Sequence, residues 1–124
     1  MSSNNDTWHA LRAATSMLKA IGNEHRLLTL CALAERPLAV CDINRRVPIA
    51  QSALSQHLAR LRSAGLVVAQ RDGPKIRYAL ADARTHRLID ALRAEFRIPR
   101  SVPEAADWPA HVDSAATLAA PARL

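Results

Sequence analysis

The stretch Gln51–Leu80 leaves few folds open. Leu54, Leu58 and Leu61 recur at i, i+4 and i+7, the spacing of one helix face, and Gly65 follows where a helix closes on a left-handed residue. The period then changes at once. Leu66–Gln70 and Lys75–Leu80 alternate, with Arg71-Asp72-Gly73-Pro74 as turn chemistry between them. A helix that runs straight into a hairpin must pack the two against a shared core.

The residues upstream supply more helices. Asp6 reads as the N-cap of a helix from Thr7, with Trp8, Leu11, Ala14, Leu18 and Ile21 at helical spacing and Gly22 ending the run. Asn23 caps a second helix with Leu27, Leu30, Cys31 and Ala34 as its apolar stripe, and Pro37 follows it. A short third helix fits Val40–Val47, stopped by Pro48, and the fourth fits Gln51–Ala64. After the hairpin, a last helix fits Asp82–Phe96, with Leu88, Ile89, Leu92 and Phe96 facing inward. The expected class is mainly α: about five helices plus a two-stranded wing, in the order of a winged helix-turn-helix.

That reading divides the chain into a polar lead (1–6), one domain (7–97) and an Ala/Pro-rich tail (98–124). The tail is expected to be largely disordered, with one turn of helix near Ser114–Ala120. With 124 residues, 49% of them hydrophobic and only 3% aromatic, the chain can bury one core built from aliphatic helices. No segment is apolar and long enough to cross a membrane, and Met1–Asp6 does not resemble a secretory leader. Two cysteines are too few for a disulfide scaffold, so the expected location is the cytoplasm.

Charge points to a partner. The chain carries a net charge of +6, and residues 40–80 alone hold seven basic side chains against Asp42 and Asp72, a net +5. Basic charge gathered beside a helix and a hairpin suits a polyanion. Reading bases in a groove needs small or amide side chains, because small ones admit the backbone and Gln pairs with adenine edges. Gln51, Ser52, Ser55 and Gln56 provide that surface, with His57 and Arg60 placed to reach phosphates. On the hairpin, Arg71, Lys75 and Arg77 suit phosphate or minor-groove contact. A solvated helix face with ordinary surface arginines is the plain alternative; the preceding short helix, the wing and the localised charge together weigh against it.

The sequence resembles the ArsR/SmtB family of bacterial repressors over roughly residues 8–97. The matching segments are Leu18–Leu27 (LKAIGNEHRL), Gln51–Leu61 (QSALSQHLARL), Ala64–Val67 and Arg71–Tyr78. The resemblance implies a homodimer joined through the first and last helices, and binding to double-stranded operator DNA that an inducer relieves. Relatives place Ser or Thr just before both helices of the helix-turn-helix, where this chain has Ala39 and Ala50.

The family's inducer sites are mostly incomplete here. At the zinc-type positions of the last helix only Asp82 matches, with Arg84 and Glu95 in place of histidines and Ile98 at the final position. The arsenic-type Cys-x-Cys-Asp reads Ala39-Val40-Cys41-Asp42. No metal or cofactor is therefore expected. The sulfide- and redox-sensing branch is nearest, since Cys31 stands at its first reactive position, but Arg97 replaces its second cysteine. One expectation is a thiol switch in which Cys41 serves instead. The alternative is that Cys31 is a small buried apolar residue, Cys41 a helix-start residue, and the repressor senses through neither cysteine nor metal. A winged-helix protein-interaction module without DNA binding is a further alternative, though it would show an acidic or apolar recognition face. No phosphate loop, nucleophile–base pair or metal set suggests an enzyme.

Overall fold

The computed structural model describes residues 3–104 and 107–109. Five helices and three short strands follow one another as α1 (Asn4–Ile21), α2 (Glu24–Glu35), β1 (Leu38–Ala39), α3 (Val40–Arg46), α4 (Gln51–Ser63), β2 (Val67–Asp72), β3 (Lys75–Leu80) and α5 (Ala83–Phe96).

Local chemistry sets most boundaries. α1 begins three residues before the expected Thr7, because Ser3 and Asp6 form a reciprocal box. The Asp6 N–H donates to Ser3 Oγ (3.1 Å) and the Ser3 N–H donates to Asp6 Oδ2 (3.3 Å). Asp6 therefore lies within the first turn and is not the cap. Asn23 caps α2 as expected, its Oδ1 accepting from the N–H groups of His25 and Arg26 at 3.0 Å each. α4 closes through Gly65 at φ +77°, and β2 turns into β3 through Gly73 (φ +62°) and Pro74. A two-residue loop with glycine first is the arrangement that matches strand twist.

The sheet has three strands, not two, in the order β1-β3-β2 and antiparallel throughout. β1 escapes sequence reading because two residues after Pro37 cannot show a period. Leu38 pairs with Tyr78 and Ala39 with Arg77, which ties the start of α3 to the base of the wing.

Leu30, Leu33, Ile43, Leu54, Leu58, Leu61, Leu66 and Ile89 are buried at the centre, where α2, α4, the sheet and α5 meet. α1 and α5 depart from the expected inward stripes. Trp8, Leu11 and Leu18 on α1, and Leu88 and Phe96 on α5, are exposed; α1 buries only Ala20 and Ile21, and α5 buries Thr85, Ile89 and Arg93. Of the apolar stripes, Ile21 and Ile89 reach the core, with Leu92 packed against it, while the rest stays uncovered within one chain.

The segment after α5 also differs from expectation over its described part. Val102 is 5% exposed and joins the core, its N–H donating to Glu35 Oε1 at 2.8 Å. Trp108 is half-buried, and its indole N–H donates to the Arg46 carbonyl at 3.0 Å. Within the described residues, Val102 and Trp108 are its aliphatic and aromatic anchors. The expected helical turn near Ser114–Ala120 lies outside the described residues.

Candidate nucleic-acid interface

At about 100° per residue, burial of Leu54, Leu58 and Leu61 turns the opposite side of α4 outward. Ser52, Gln56 and Ala59 lie along the middle of that side, with Gln51 and Ser55 on one flank, and all five are exposed. Arg60 is exposed on the other flank. Small and amide groups thus line a convex ridge free of apolar bulk.

The turn ahead of α4 is held by a residue that periodicity does not single out. Asn44 Nδ2 donates to the carbonyls of Val47 (3.3 Å) and Ile49 (2.8 Å), fixing the path from α3 into α4. Ala39 and Ala50 sit at the N-caps of α3 and α4 with extended backbone and no side-chain cap bond. The expected helix starts are therefore right, and the caps are truly missing.

His57 does not join the outward surface. It is half-buried, its ring lies 6.2 Å centroid to centroid from that of His25 on α2, and Arg26 Nη1 approaches its Nδ1 at 3.4 Å. Burial lowers the His57 pKa, and the neighbouring Arg26 and His25 lower it further. Arg26 also donates through Nε to the Ala20 carbonyl (2.6 Å) and through Nη2 to that of Lys19 (3.3 Å). One guanidinium thus satisfies the end of α1 and steadies α4. The His57 ring thus packs toward α2 beside the outward ridge of α4.

On the wing, Arg71 and Lys75 are exposed, while Arg77 is half-buried and pairs through Nε with Asp72 Oδ2 at 2.9 Å. This exposed pair is weak and leaves the guanidinium exchangeable. Positive charge extends further than the sequence suggests. Arg12 and Lys19, at i and i+7 on α1, line one groove of about 550 Å³ together with Arg60 of α4.

The two cysteines are free, Cys31 buried in α2 and Cys41 exposed on α3. Burial pushes the Cys31 thiol up, away from the reactive thiolate; Arg93 opposes that shift and Glu35 adds to it. Asp82 caps α5, accepting from the Thr85 N–H and hydroxyl at 2.8 Å each. Those bonds hold its carboxyl below the usual range. Among the described residues, no three His, Cys, Asp or Glu side chains gather as a metal site.

Residues 23–68 match the family model described as bacterial regulatory protein, arsR family. The transcriptional activator HlyU of Vibrio cholerae is 40% identical over 79 residues, spanning 64% of this chain and 73% of that protein. The chain belongs to the ArsR family. The biofilm growth-associated repressor of Agrobacterium fabrum is 39% identical over 83 residues, 67% of this chain and 71% of that one. Among solved structures, HlyU from Vibrio cholerae superposes with a TM-score of 0.67 at 36% identity, covering 71% of this chain and 96% of that chain. A homodimeric winged helix-turn-helix DNA-binding domain from Mycobacterium bovis gives 0.70 at 28% identity, covering 77% and 88%. This ArsR-family member is a transcriptional regulator with a winged helix-turn-helix, not an enzyme. No helix among its described residues is long and apolar enough to cross a membrane.

Proposed function

We propose that this ArsR-family chain is a cytoplasmic, homodimeric repressor that holds two-fold operator DNA until an inducer releases it. The exposed polar ridge of α4, flanked by cations on the wing, carries this reading. Gln51, Ser52, Ser55 and Gln56 face bases in the major groove, while Arg60, Arg71, Lys75 and Arg77 contact phosphates. His57 holds α4 against α2. The uncapped first turn of α4 adds backbone N–H groups suited to a phosphate.

Dimerisation is supported by the exposed apolar side chains of α1 and α5. Met17, Leu18 and Ile21 of α1 adjoin Leu88 of α5 along one depression, and the Mycobacterium bovis neighbour is described as homodimeric. Of the two relatives named above, one is called an activator and the other a repressor, so the sign of regulation is part of the proposal. A Cys31–Cys41 switch draws little support from a buried, protonated Cys31 and an exposed Cys41 on another helix.

Selection of bound fragments from random duplex DNA tests the reading. Enrichment of a two-fold-symmetric sequence, bound by one dimer in preference to random competitor, is expected. Absence of enrichment contradicts it. Release by oxidant or persulfide donor that disappears in both Cys31→Ser and Cys41→Ser would restore the thiol switch.

A further inference from the structure

A second feature lies away from the DNA-facing ridge. Between α2, the turn before α4 and the segment after α5 is a cavity of about 260 Å³. Leu27, Leu28 and Cys31 of α2 line it together with Pro48, Ile98 and Trp108. His25 completes the wall; it is 2% exposed, and its Nδ1 has no hydrogen-bond partner among the described residues. Glu24 is the one ionised group in the lining.

We propose that this cavity binds a small, uncharged, largely apolar molecule bearing one polar group, and that its occupancy sets the pose of α4; the second half rests on the DNA-binding reading above. Size limits the ligand. A dry cavity of roughly 150 Å³ accepts benzene, so this one takes one or two rings. Polarity limits it too. Aliphatic walls favour apolar surface, the carboxylate of Glu24 repels anions, and an unpaired imidazole nitrogen favours a ligand that can satisfy it. Burial pushes the Cys31 thiol up and the His25 imidazole down, each against its charged form, with Arg93 and Glu24 respectively opposing.

The cavity walls touch the DNA-reading parts by two routes. Trp108 is bonded to the Arg46 carbonyl at the end of α3, and Pro48 lies in the turn that launches α4. His25 faces His57 of α4 ring to ring. A ligand that lifts Trp108 or shifts His25 moves the support of the recognition helix. Ile98 and Trp108 lie beyond residues 23–68 that match the family model.

The test is made first without DNA. The chain has two tryptophans, and their indole N–H signals in a proton–nitrogen NMR spectrum are assigned with Trp8→Phe. Toluene, phenol, indole and benzoate are titrated separately. We expect saturable shifts of the Trp108 indole and the Leu28 and Cys31 amides with phenol or indole, none at Trp8, and at least tenfold weaker binding of benzoate. Leu28→Phe, which enlarges a lining side chain, should weaken the neutral probes about tenfold. Absent shifts at Trp108, or equal response to benzoate, overturn the site. With a selected duplex, the saturating neutral probe should then change DNA affinity at least threefold in wild type and not in Trp108→Ala. Unchanged affinity overturns the coupling. A chain that binds the probe but no DNA would sink the repressor reading while leaving the cavity standing.

Discussion

Ala50 is the residue whose replacement should matter most simply. It occupies the N-cap of α4 with φ −61° and ψ 146°, extended as a cap requires, and offers no acceptor. Ala50→Ser supplies one, and should stabilise the fold by about 1 kcal/mol in urea or thermal unfolding. Loss of stability would mean that this turn is not a cap. Asp82 is the opposite case. Because its folded pKa lies below its unfolded one, its capping contribution is complete above the ordinary carboxylate range and is lost as pH falls through the folded value. Asp82→Ala should lower the melting temperature at pH 7, and the gap from wild type should shrink toward pH 3. A gap independent of pH would assign the effect to Thr85 packing alone.

At the scale of elements, the helix-turn-helix and hairpin were legible because each advertises its period and its stop. Leu54, Leu58 and Leu61 marked α4, and Gly65 and Gly73 marked two of the three described positions of positive φ, the third being Arg97 at the end of α5. β1 was not legible, because it is short and exists through pairing with β3. The contacts of His57 were not legible for a related reason: its sequence neighbours are outward-facing, whereas its partners His25 and Arg26 lie 32 and 31 residues away. That pairing has a pH signature. Burial lowers both histidine pKa values; Glu24 opposes the effect at His25, and Arg26 and each other's proximity reinforce it at His57. The unfolded chain then binds more protons near pH 6.5, so stability should fall on acidification from about pH 7.5 to 5.5. Urea midpoints for wild type and His57→Gln should converge toward the acid end of that window. Parallel curves would deny that the imidazole titrates with folding. The recognition ridge and wing should also separate functionally. Gln56→Ala should reduce preference for the selected site over random DNA, by roughly 1–3 kcal/mol if its contact is bidentate, whereas Lys75→Ala should weaken both alike.

For the whole molecule, the exposed stripes of α1 and α5 are the part that sequence periodicity found and burial within one chain does not explain. Trp8 (59%), Leu18 (60%) and Phe96 (73%) stand exposed there, and Leu18 adjoins Leu88 of α5 along one depression. A second copy is the occupant we propose, and Leu88→Glu should shift sedimentation toward monomer and abolish binding to the two-fold site at equal protein concentration. A variant that stays dimeric would place the interface elsewhere. The tail was the least legible region, because Trp108 and Val102 dock on groups far earlier in the chain, Arg46 and Glu35. In the proposed complex, clustered cations on α4 and the wing grip the DNA backbone while the α4 ridge reads it. Titration of the selected duplex across salt concentrations tests this most directly. A steep linear fall of log affinity with log salt is expected, reduced by about one in slope for each half-site's phosphate contact removed, as in Lys75→Ala. A flat salt response, or equal affinity for random duplex, would contradict it.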